Sequence, residues 1–225
     1  MDLSYRTYTT PISAWRTPRR RERLTLGVAC SLNWGPLRDL IGRYRRQRPE
    51  VDLVIEDLDE IGLAERLPGR RVDLAVALHD AGAPGWRSTP LWSEPLMAFM
   101  AEGHPLAACN SVPSAALRET PILMAGNGAG DRALQRAIIG ALGGPPNFLH
   151  YAVQRDNLID LTALGFGVTI AGGSALGAFY PGVCARPLES DSAWLSYCAF
   201  WSPENERPAL QRFLGAARGR EVEGA

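Results

Sequence analysis

From Leu24 onward the chain alternates between two hydrophobic patterns. Short, nearly continuous apolar runs occur at LTLGVA (24–29), VDLVIE (51–56) and VDLAVAL (72–78). Runs of that length and continuity read as strands buried on both faces. Between the first two, Leu37, Leu40, Ile41 and Tyr44 recur at helical spacing, the signature of one apolar helix face. Pro36 suits the first turn of that helix and Pro49 ends it. Asp59 is placed to cap a second helix carrying Ile61, Ala64 and Leu67, stopped near Pro68 and Gly69. Strand, helix, strand, helix, strand predicts a parallel sheet with right-handed crossovers.

A long connection through GAPGW (82–86) leads to an apolar run, LMAFMA (96–101), and a second round begins. PILMA (121–125), FLHYAV (148–153) and VTIAG (168–172) read as strands. Helices are predicted over 131–142 and from a cap at Asp156 through Leu164. Gly165 and Gly167 supply the turn back into the strand. After PGVCARPL (182–188), the run LSYCAFW (195–201) predicts a last strand. A last helix follows, with Pro208 near its start and Leu210, Phe213, Leu214 and Ala217 on its apolar face. Two α/β units in series are therefore expected. The final strand and helix either complete the second unit or return to the first.

Composition excludes several function classes. The 225 residues are 46% hydrophobic and 21% charged, with a formal net charge of zero. That is the balance of a globular protein with a sizeable core, not of a chain wholly devoted to nucleic acid. No apolar run approaches the roughly 20 residues of a membrane-spanning helix. The first residues lack a signal-peptide core, so cytoplasmic residence and no membrane partner are expected. Residues 1–23 hold Pro11, Pro18 and a basic cluster from Arg16 to Arg23, and read as an irregular solvated arm; residues 218–225 read as a tail. Cys30, Cys109, Cys184 and Cys198 form no CxxC pair, and most are expected to pack as small hydrophobes. No HxH, HExxH or paired-carboxylate spacing occurs, so neither a metal site nor a cofactor is expected.

Several blocks, in order, carry a resemblance. RLTLGVACSL, RYRRQRPEVDLVI, RRVDLAVAL, PLWSEPLMAFMAEGHPLA, DNLIDLTALGFGVTIAGGSAL and PGVCARPL together resemble the effector-binding domain of LysR-type transcriptional regulators. The resemblance covers about residues 23–217. It implies a type 2 periplasmic-binding-protein-like fold of two Rossmann-like subdomains joined by two crossover segments. Subdomain I is expected over 24–98 plus 186–217 and subdomain II over 99–185, with a small organic effector bound between them. It also implies a homodimer, with the helix at 36–48 and its neighbours packing side by side. Family members carry an N-terminal winged helix-turn-helix and a long linker helix. The 23 residues before the first strand contain neither pattern, so direct DNA binding by these residues is not expected.

Ligands of open α/β sheets collect at the carboxyl ends of the strands. Cys30, Ser31, Asn33 and Trp34 follow the first strand. The resemblance implies that Ser31 hydrogen-bonds an effector carboxylate or oxyanion; read from the residues, Ser31 or Asn33 can equally cap the helix. His79 follows the third strand and is a candidate at the cleft rim. Asn127 and Gly128 sit in a glycine-rich turn that is not a Walker A loop. Gln154 and Arg155 follow the FLHYAV strand, where Arg155 can offer a carboxylate two parallel hydrogen bonds. Trp34, Trp86 and Phe166 either line the cleft or pack in the core. The remaining histidines, His104 and His150, are expected to be structural. An alternative function is an enzyme repurposed from this fold, with Cys30 as nucleophile and His79 as base.

Overall fold

The computed structural model describes residues 22–33, 35–58, 63, 65, 67, 71–82, 85–126, 132–153 and 155–219. In chain order its elements are β1 (Arg23–Val28), α1 (Pro36–Gln47), β2 (Asp52–Asp57), β3 (Leu74–Leu78), β4 (Arg87–Ala101), β5 (Val112–Pro113) and α2 (Ser114–Arg118). There follow β6 (Ile122–Ala125), α3 (Arg132–Leu142), β7 (Phe148–Tyr151), α4 (Arg155–Ala163), β8 (Val168–Gly172), β9 (Val183–Glu189), β10 (Trp194–Trp201) and α5 (Pro208–Arg218). Most of these coincide within a residue or two with the expected runs.

The strands follow the order β2-β1-β3-β10-β4-β8-β6-β7. β1 lies parallel between β2 and β3, and β6 lies parallel between β7 and β8. These two parallel groups are the predicted α/β units. The strand joining them is β4, which the sequence pattern reveals only at its apolar end. Its residues up to Pro95 pair antiparallel with β10, and from Leu96 onward they pair with β8 and β9. Pro90, Pro95 and the polar residues between Arg87 and Glu94 hide the first half of the strand from a hydrophobicity reading. PGVCARPL, treated as a connection, is largely the strand β9.

The last strand and helix return to the first unit. β10 pairs with β3. α5 lays Leu210, Phe213 and Leu214 into the core, and all three are buried. The Phe213 ring meets Tyr44 of α1 edge-on at 5.0 Å, and the Tyr44 hydroxyl donates to the Ala209 carbonyl. Asp73, buried just before β3, ties the same pieces together. Its carboxylate accepts from the Thr25 amide, the Asn205 side chain and Arg207 at 2.7 Å. A buried carboxylate is tolerated when its oxygens are filled in this way.

Two local expectations are corrected, and a third lies mostly outside the described residues. α4 begins at Arg155, so Asp156 lies inside its first turn rather than ahead of it. The helix expected after Asp59, with Ile61 and Ala64, lies mostly outside the described residues; of its described positions, the expected Leu67 is buried and so is Leu63. His150 is exposed on β7, which forms a sheet edge, and does not pack inside.

At the changeover in β4 stands a buried carboxyl group, Glu94. It accepts from the amide and the hydroxyl of Ser174, each at 3.1 Å, across the sheet from the turn that follows β8. A side chain at Gly172 would collide with this carboxyl, which explains the glycine there. Burial raises the Glu94 pKa above its ordinary 4.5, against the opposing pull of the Ser174 hydrogen bonds. The native state therefore holds the Glu94 proton more tightly than the unfolded chain does. Its stabilising contribution is full below pH 4.5 and is lost as pH rises through the elevated native value. The stability of the native protein relative to Glu94→Gln should accordingly fall as pH rises over that window, as measured by urea unfolding at a series of pH values. A difference independent of pH would contradict the assignment. Separately, Phe213→Ala should cost about 3–5 kcal/mol of unfolding free energy, because a ring of that size leaves a cavity between α5 and α1.

Candidate functional site

The carboxyl ends of β1, β3, β6 and β8 converge on one cavity of about 110 Å³. β1 delivers Ala29 and Cys30 to its wall, and the loop beyond adds Ser31 and Asn33. β3 contributes Ala77 and Leu78. The second group supplies Met124 and Ala125 from β6 and Thr169 to Gly172 from β8. Leu158 and Ile159 of α4 and Ala133 and Leu134 of α3 close the far side, and Tyr197 of β10 enters from the middle of the sheet. The wall thus draws on both parallel groups. Its surface is mainly methyl and aliphatic, with a few hydroxyl and amide groups, as in many small-molecule pockets.

Besides the two from Ser174 to Glu94, further hydrogen bonds cross between the groups near this cavity. Asn33 Nδ2, after β1, donates to the Tyr180 hydroxyl at 3.2 Å, and Tyr180 follows β8 in the chain. Arg136 of α3 donates at 2.9 Å to the carbonyl of Asp80, in the short helical turn after β3. Ser31 Oγ accepts from the Asn33 amide at 3.1 Å and shapes the loop. Neither residue caps α1. The residue before that helix is Gly35, at a positive φ of 96°, and it supplies no side-chain cap. The capping alternative is therefore overturned: the intervening glycine turn sets Ser31 and Asn33 too far from the first helical amides.

The candidates named from sequence divide as follows. Cys30, Ser31 and Asn33 are on the wall. Trp34, Asn127, Gly128 and Gln154 lie outside the described residues, as does the side chain of Arg155, whose backbone opens α4. His79 opens the turn after β3, and its Nδ1 lies 3.5 Å from Cys198 Sγ. The thiol at that distance from His79 belongs to Cys198. Burial pushes the Cys198 thiol up from its ordinary pKa, which disfavours a thiolate. Trp86 packs against Phe200, and Phe166 is half exposed beside Tyr151. His104 accepts the Leu106 amide and so closes its own turn. No disulfide joins the cysteines. Among the described residues no cluster of three His, Cys, Asp or Glu side chains is placed to hold a metal, and no helix is long and apolar enough to cross a membrane.

Sequence reasoning missed much of the wall. The rule that singled out the ends of β1 and β3 applies equally to PILMA and VTIAG, so Met124, Ala125 and Ala171 were within reach. Tyr180 and Tyr197 carried no such signal. One lies in an irregular segment, and the other arrives on an antiparallel strand from the end of the chain.

The sequence profile of the LysR substrate binding domain matches residues 18–221. The HTH-type transcriptional regulator XapR of Escherichia coli (strain K12) is 24% identical over 195 residues, which cover 86% of this chain and 66% of that protein. The chain therefore spans just under two thirds of that relative's length. Among solved structures, the BenM effector binding domain with its effector benzoate superposes with a TM-score of 0.75 at 19% identity, covering 88% of this chain and 91% of that one. The reduced OxyR regulatory domain from Pseudomonas aeruginosa superposes with a TM-score of 0.72 at 21% identity, covering 88% and 98%. The fold is the periplasmic-binding-protein-like fold of such domains. Since the profile accounts for nearly the whole described chain, the protein belongs to the LysR substrate binding domain family.

Proposed function

We propose that this chain is the effector-sensing part of a transcriptional regulator that acts in the cytoplasm. It binds a small organic molecule between two lobes, 24–98 plus 186–217 and 99–185. The observation that carries this reading is the cavity walled by strand ends from both parallel groups. A guest touching both walls binds the closed arrangement better than an open one, and only such a difference in affinity shifts the balance between them. Cys30, Ser31 and Asn33 contact the guest from one side. Asn127, Gly128, Gln154 and Arg155 are proposed to approach from the other, because they follow β6 and β7. His79 is assigned to the rim. These residues are not proposed to touch DNA; the signal passes through partner subunits in a homodimer that uses α1. Supporting this, XapR, of like sequence, is a transcriptional regulator, and the similarly folded BenM domain holds benzoate.

A stand-alone enzyme is disfavoured by the placement of His79 against a buried thiol.

A thermal-shift screen of small organic metabolites should find a compound that stabilises the protein, by about 2.7 kcal/mol at a hundredfold excess over its Kd. The same compound should not stabilise Ala125→Phe, whose ring fills the cavity. Equal stabilisation of both proteins would place the ligand elsewhere. Light scattering after size-exclusion chromatography should report a dimer, and a monomer at tens of micromolar would contradict the proposed assembly.

A further inference from the structure

We infer that the cavity selects an uncharged, compact, mostly apolar molecule with one or two hydrogen-bonding groups, rather than an organic anion. This rests on the reading of the cavity as an effector site and narrows the chemistry of its guest.

Three observations carry it. Among the described residues, no charged side chain lies on the wall. An ionised group enters so apolar a space only when a counter-charge or several donors meet it there.

The wall's polar groups are moreover already engaged with one another. Ser31 Oγ holds the Asn33 amide, and Asn33 Nδ2 holds Tyr180. Thr169 Oγ1 is 2.8 Å from Thr162 Oγ1, and the Ser174 hydroxyl points to Glu94. Such groups can add a bond to a hydroxyl or amide guest by sharing a lone pair or turning a proton. They cannot neutralise a carboxylate. Among the described residues, two nearby cations are held by backbone carbonyls: Arg38 donates to that of Asn33, and Arg136 to that of Asp80.

The third observation is a carboxyl group behind the wall. Glu94 sits under Gly172 and Ser174, both of which line the cavity. Glu94 takes both the amide and the hydroxyl of Ser174, so neither donor is left for a guest anion. A guest cation gains little in return. The carboxyl is buried and already accepts both the amide and the hydroxyl of Ser174.

The test uses guests that differ only in charge. Benzyl alcohol and benzamide, benzoate, and benzylammonium form one series. Isovaleramide, isovalerate and isoamylammonium form a second on a branched alkyl frame. Binding to the full chain is followed by ligand-observed NMR, with Ala125→Phe as the blocked control. The expected result is that, in at least one series, a neutral member binds roughly tenfold or more tightly than either ion, and that Ala125→Phe abolishes this binding. Tighter binding of benzoate or isovalerate, lost in Ala125→Phe, would overturn the inference while leaving the effector reading intact. Tighter binding of an ammonium compound would do the same and would point to Glu94 as its partner. Should no member of either series bind at millimolar concentration, the inference also fails. The effector reading would then stand or fall on the metabolite screen alone.

Discussion

Within a sheet, a strand residue has only two edges with which to hydrogen-bond, and β4 satisfies this constraint by changing neighbours partway along. Up to Pro95 it lies against β10 and belongs with β1, β2 and β3. From Leu96 it lies between β8 and β9 and belongs with β6 and β7. One continuous strand thereby carries two parallel groups whose carboxyl ends meet over a common space. At the changeover Glu94 adds a side-chain tie, reaching the turn after β8 through both oxygens. Burying that carboxyl is unfavourable for its charged form, and so the joint is sensitive to proton concentration.

The cavity follows from this joint. Parallel strands end in loops that lead into helices, and the wall residues at or just past those ends are small: Ala29, Ser31, Ala77, Ala125 and Ala171. Larger side chains would close the hollow. Apart from the buried Glu94–Ser174 pair, the bridges from Asn33 to Tyr180 and from Arg136 to Asp80 are partly buried or exposed. Water can replace such bonds at modest cost, whereas the apolar contacts a guest would make with both walls have no equivalent in the empty cavity. A sensor needs that imbalance, since a ligand shifts a conformational balance only by its unequal affinity for the two forms.

Much of the architecture was legible in the chain because burial on both faces leaves uninterrupted apolar runs. LTLGVA, VDLAVAL, PILMA and VTIAG are strands on that account, and Leu210, Phe213, Leu214 and Ala217 form the buried face of α5 at helical spacing. Cys30, Ser31 and Asn33 were legible as wall residues from the rule of strand ends. The first half of β4 was not, because its partner is an antiparallel strand about a hundred residues later, and its prolines and polar residues imitate a loop. The pairing of His79 with Cys198 was hidden for the same reason.

By itself, the sequence determined which segments bury their side chains, that Pro49 and Gly165 follow the ends of α1 and α4, and the family to which the blocks belong. These depend on local periodicity and backbone sterics, which each stretch of residues carries with it. Only the tertiary structure decided where the last strand and helix dock, which thiol faces which imidazole, and that Glu94 reaches across to Ser174. Those are contacts between residues far apart in the chain. Their energies depend on geometry and desolvation, and neither quantity exists until the chain has closed on itself.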